Sequence, residues 1–137
     1  MEYITIREVI LFNSYLISTY SPKEQKGVKD ESLLESAVNR PKQTAFGQEI
    51  FPTLYDKCAA LYHALIKNHA FHNANKRTAL MSLIRMLAIN GYEFMASQED
   101  AENMTVEIAD IKPEDIDTEQ FMKDIADWIE NNSRKKE

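Results

Sequence analysis

The stretch TLYDKCAALYHALIKNHAFHNANKRTALMSLIRMLAING, Thr53 to Gly91, holds two apolar periodicities separated by a short polar turn. In its first half Leu54, Cys58, Leu61 and Leu65 advance by four, three and four residues, which sets them on one face of a helix. Thr53 is a good N-cap for that helix, which reaches about Asn68. The second half predicts a helix from near Ala74 with Leu80, Leu83, Ile84 and Leu87 turned inward. Gly91 ends it, because glycine accepts a left-handed C-terminal cap. Two such helices joined by only His69 to Asn73 form the centre of the core.

Working outward, Thr5 and Glu8 have the form of a capping box, and Val9, Phe12, Leu16 and Ile17 recur at helical intervals, predicting a helix over Thr5 to Tyr20. Ser21 to Lys29 contains Pro22 and Gly27 without periodicity and reads as a loop. Asp30 caps a short helix with Leu33, Leu34, Ala37 and Val38 buried, which Pro41 ends by disfavouring helical geometry at Arg40. Lys42 to Pro52 mixes β-forming residues around Gly47 and reads as an extended flap or small hairpin. Beyond Gly91, Ser97 and Asp100 open an acidic helix bearing Ala101, Met104 and Ile108, and a last helix holds Phe121, Ile125, Trp128 and Ile129. The expectation is an all-α fold: a compact bundle of about six helices with a short extended flap, one domain over 1–130, and a frayed tail over 131–137.

The chain's 137 residues are 44% hydrophobic and 28% charged, ordinary values for a folded domain, and three glycines with four prolines favour helices over a many-stranded sheet. The first ten residues carry Glu2, Arg7 and Glu8, unlike an export leader, and no apolar run is long enough to span a membrane. A single Cys58 at helical spacing reads as a buried thiol, consistent with a cytoplasmic protein. The net charge of −6 argues against direct nucleic-acid binding. That charge is uneven: residues 1–92 carry 11 Lys and Arg against 8 Asp and Glu, residues 93–130 carry 2 against 13, and the acidic block reads as a solvated helical face.

Chemistry concentrates at the turn, where His69 to Arg77 hold two imidazoles, two asparagine amides and two cations. The start of the Ala74 helix offers unpaired backbone N–H groups and the positive end of a helix dipole. Lys76 and Arg77 sit in that first turn, where a cation is disfavoured unless an anion is near, and a bound phosphate would remove the conflict. Asn75 adds an amide donor and Arg77 a planar fork matched to phosphate oxygens. His69 is placed to take a proton from a hydroxyl, with Phe71 as its apolar anchor. Spacing alone leaves a phosphoryl or nucleotidyl site and a plain solvated turn both open. A zinc reading of His69, His72 and His63 lacks the further ligands such sites need, and His63 reads as a helix-surface residue.

The string HAFHNANKRTAL, His69 to Leu80, resembles the death-on-curing (Doc) branch of the Fic/Doc family, whose motif runs His, any, Phe, any, acid, any, Asn, Lys, Arg. GVKDESLLESAV from Gly27, RPKQTAFGQEIFPTLYDKCAALYHALIKNH from Arg40 and the closing NGYEF extend the likeness over roughly residues 4–95. The resemblance implies that ATP is held as its Mg2+ complex by Ala74, Asn75, Lys76 and Arg77, that His69 activates the target hydroxyl, and that Phe46 and Gly47 lie in a target-docking flap. It further implies a kinase-like toxin acting on a translation factor, elongation factor Tu, and restrained by a Phd-type antitoxin. Adenylyl transfer is the alternative activity, and a weakened nucleotide- or antitoxin-binding module is a third. Lys76 stands where the adenylyl-transferring branch has glycine. Asn73 stands where the family has an acid helping to hold magnesium, and Leu80 where the longer Fic motif ends in a second arginine, which the Doc branch commonly lacks.

Overall fold

In the computed structural model, which describes residues 1–137, Thr5 and Glu8 close their capping box at the start of α1, Ile6–Tyr20. Asp30 caps α2, Glu31–Asn39, and a 3-10 turn at Arg40–Lys42 carries the chain past Pro41. A hairpin of β1, Thr44–Ala45, and β2, Gln48–Glu49, precedes α3, Leu54–Asn68, and α4, Asn75–Ile89. Then follow β3, Tyr92–Phe94, α5, Gln98–Asp110, α6, Thr118–Asn131, and β4, Ser133–Lys135. None of these helices is long and apolar enough to cross a membrane.

Helix α3 is the axis of the bundle. It buries Cys58, Ala59, Ala60, Leu61, Tyr62, Ala64, Leu65 and Ile66, so it is apolar nearly all round, the pattern of a helix enclosed by others. Helices α2, α4 and α6 pack around it, and α1 packs on α4. The Tyr62 hydroxyl, fully enclosed, hydrogen-bonds Thr105 Oγ1 and so ties α3 to α5 without an unsatisfied polar atom. Cys58 is buried as expected, and burial pushes its thiol up to about 12, which leaves it no thiolate near neutral pH.

Several expectations need correction. On α4 the inward stripe is Ala79, Ser82, Leu83, Met86 and Leu87, whereas Ile84 is exposed and Leu80 only half-buried, because the helix is rotated to face α1 and α3 together. Leu33 is likewise exposed while Leu34, Ala37 and Val38 are buried. The tail is not frayed: Ser133–Lys135 pairs antiparallel with Tyr92–Phe94 in the register Tyr92↔Lys135, Glu93↔Arg134 and Phe94↔Ser133. Lys136 N–H donates to Gly91 O at 2.9 Å, and Arg134 meets Glu93 at 3.2 Å, so the basic tail folds back over an acidic neighbour.

The flap is a two-residue hairpin whose central residues Phe46 and Gly47 both have positive φ, 53° and 77°, as its twist demands. Phe46 stands fully exposed in a conformation that bulky residues avoid. Lys57 of α3, 2% exposed, holds the hairpin's base. Its Nζ donates to Glu49 Oε1 at 2.9 Å and to the carbonyls of Phe51 and Pro41, so one buried ammonium joins both ends of the flap to the core.

His63 is half-buried rather than exposed on the helix surface. Arg40 Nη1 lies 3.0 Å from its Nδ1, and the ring packs edge-on against Phe121. Burial first, then Arg40 and Lys67, pushes its pKa down from an ordinary 6.5 to about 4. A depressed folded-state value means the neutral ring contributes stability that is complete above pH ~6.5 and is lost as pH falls toward ~4. The melting temperature of wild type therefore falls more steeply between those limits than that of His63→Gln, and identical slopes would show that His63 is not buried neutral.

Candidate functional site

Helix α3 stops at His69, which takes the left-handed conformation at φ 51° and turns the chain sharply. Ala70 and Phe71 drop into the core, each 2% exposed. The loop between α1 and α2 then closes over the turn. Lys29 and Asp30 N–H donate to Ala70 O at 2.7 and 3.1 Å, His72 N–H donates to Gly27 O at 3.2 Å, and Val28 bridges Phe71. Asn73 Nδ2 donates to Gln25 O at 3.0 Å. From the other side Asn13, buried on α1, donates from Nδ2 to Asn73 O at 2.8 Å and to Thr78 Oγ1 at 3.1 Å. The turn is thus fixed by partners far away in sequence.

Asn75 closes it from within. Its Oδ1 accepts from Phe71 N–H at 3.0 Å, its Nδ2 donates to Phe71 O at 2.9 Å, and the same Nδ2 lies 3.4 Å from His69 Nδ1. The side chain expected to reach an anion is therefore engaged by the turn itself. What α4 presents instead is backbone. Ala74, at its N-cap, has φ 60° and no capping side chain, and from Asn73 through Arg77 no backbone N–H donates to a protein acceptor. A non-glycine residue at positive φ that leaves backbone donors open at a helix N-terminus is an arrangement chemically suited to an anion.

These groups line one polar pocket of about 290 Å³, made by His69 and His72 to Arg77 together with Ser21 and Glu24 of the preceding loop. Lys76 is exposed, and the Arg77 guanidinium lies 5.6 Å from the centre of the Tyr20 ring, which orients it. The structure therefore brings together His69, Asn73, Ala74, Asn75, Lys76 and Arg77, with Phe71 beneath them. Phe46 and Gly47 do not line this pocket but stand at the tip of the separate hairpin. Sequence reading missed Asn13, Ser21 and Glu24. For Asn13 the signal was present, a polar residue four positions after Val9 within an otherwise apolar stripe. No group of three or more His, Cys, Asp or Glu side chains is placed to hold a metal by protein ligands alone.

Residues 3–87 match the family model described as Fic/DOC. The chain belongs to that family. It is also 38% identical over 101 residues to Toxin Doc of Mycolicibacterium smegmatis, covering 72% of this chain and 75% of that protein. It is 31% identical over 99 residues to Protein kinase doc of Escherichia phage P1, covering 72% of this chain and 76% of that protein. These relatives place it in the Doc branch, and the helical bundle agrees with the fold expected of a Fic/Doc protein.

Proposed function

We propose that the chain is a Doc-like toxin that transfers the terminal phosphate of ATP to a serine or threonine hydroxyl of a translation factor, with elongation factor Tu as the target. One observation carries this reading: the open backbone donors at the start of α4, flanked by Lys76 and Arg77, converge on the pocket that His69 lines. In it the cradle and the two cations hold the phosphate chain and offset the charge that builds on the transferred group. His69 accepts the hydroxyl proton as the hydroxyl oxygen bonds to the terminal phosphorus and the bridging oxygen leaves with ADP. Asn75 fixes the turn that carries His69 through its two bonds to the Phe71 backbone, and its Nδ2 lies 3.4 Å from the His69 Nδ1.

ATP enters as its magnesium complex, which supplies charge neutralisation at the phosphates. The motif offers that cation an amide oxygen from Asn73, and the pocket contains a single carboxylate, Glu24, a donor set that fits magnesium because this ion takes one or two carboxylates beside phosphate oxygens. The flap, held by Lys57 and tipped by exposed Phe46, supports docking of an extended target segment. An apolar groove of about 520 Å³, lined by Leu16, Tyr20, Leu80, Met81 and Ile84 and bordered by Arg77, supports a Phd-type antitoxin as partner beside the nucleotide site, in the cytoplasm.

Amide hydrogen exchange tests the cradle. Magnesium–ATP is expected to slow exchange at residues 72–78 and in the 21–28 loop while leaving the hairpin at 44–49 unchanged. Equal exchange with and without nucleotide at residues 72–78 would remove the basis of the proposal.

A further inference from the structure

We infer that Glu24 supplies the carboxylate that a magnesium–phosphate group needs in this pocket, in place of the acid absent at Asn73. The inference rests on the nucleotide-site reading above. Among the residues lining the pocket Glu24 is the sole carboxylate, and it shares the space with Lys76 and Arg77. The protein's salt bridges engage Glu49, Glu8 and Glu93, so the Glu24 carboxylate has no cation of its own.

Its loop is nevertheless held in place. Glu24 N–H donates to Ser21 O at 2.9 Å, Asn73 Nδ2 to Gln25 O at 3.0 Å, and His72 N–H to Gly27 O at 3.2 Å. The residue that replaces the acid is thus the one that docks the neighbour of Glu24 against the motif. An aspartate at 73 would lack the N–H donor and would set a carboxylate against the Gln25 carbonyl. The asparagine and the glutamate form one arrangement: the amide fastens the loop, and the loop presents the anionic oxygen that a hard cation prefers to a neutral amide.

A plain alternative is that Glu24 is a solvated loop residue that merely repels phosphate. The two readings differ in sign. Titration calorimetry with a non-hydrolysable ATP analogue, in magnesium and in EDTA, separates them on wild type and Glu24→Gln. Wild type is expected to bind more tightly with magnesium. In Glu24→Gln the magnesium-dependent gain falls by at least about tenfold, since even outer-shell changes cost 10–100-fold in metal affinity, while binding in EDTA is equal or tighter. An undiminished magnesium gain in the variant overturns the inference, as does a parallel loss in both conditions, which would mark a structural role. Wild type that binds the analogue with no gain from magnesium overturns the inference alone. Wild type that binds it in neither condition overturns the nucleotide-site reading itself.

Discussion

His69→Ala is expected to lower phosphate transfer by about 10²–10⁴-fold, the contribution typical of a general base, while the protein remains folded. His69 is solvent-exposed at the end of α3, so its truncation opens no cavity in the core. Its left-handed backbone at φ 51° makes His69→Asn the better control, because asparagine tolerates that conformation while lacking a basic nitrogen. Both variants should melt near wild type and both should be inactive. His72 lines the same pocket and is the one other imidazole there. Retained turnover in His69→Ala together with lost turnover in His72→Ala would assign the proton transfer to His72.

Asn75→Ala has the other large effect, and it is felt first in stability. The change leaves the Phe71 N–H and C=O without partners in a buried turn, at about 1–3 kcal/mol for each group. A loss of roughly 2–6 kcal/mol lowers the melting temperature by on the order of 10 °C in a domain of this size. Transfer falls as well, because the turn that aims His69 is released. Asn75→Asp separates positioning from phosphate binding. It keeps an acceptor for Phe71 N–H but faces the Phe71 carbonyl with a second oxygen, so the nucleotide-free protein should be destabilised. Unchanged melting of both variants without nucleotide would return Asn75 to the role of a direct phosphate contact.

Much of this was legible in the sequence because it is local. The capping box at Thr5, the cap at Thr53, the apolar spacing of α3 and the glycine after α4 are written within a few residues of where they act. The clustering of His69, Lys76 and Arg77 across one helix start is local too, and the structure does bring the three to one pocket. What escaped depends on partners distant in the chain. The tail is ordered by β3, about forty residues earlier, and Glu24 reaches the pocket through a bond between Asn73 and Gln25 that spans 48 positions. Asn75 was expected to reach an anion, yet its amide serves Phe71 because a left-handed turn brings that backbone within 3.0 Å. Helix rotation misplaced Ile84 and Leu33: both fit the period, and only tertiary packing decides which side of a stripe is covered.

The proposal of phosphoryl rather than adenylyl transfer rests on Lys76, at the position where the resemblance implies glycine in the adenylyl-transferring branch, since a side chain there would leave less room for the phosphate chain beside the backbone. In the proposed function the terminal phosphate lies at the α4 N-terminus, in line with the hydroxyl that His69 would activate. Incubation of the protein with purified elongation factor Tu and ATP labelled at either phosphorus measures this directly. The account predicts that label from the γ-phosphate enters the factor and label from the α-phosphate does not; entry of the α-label would contradict it and establish adenylyl transfer.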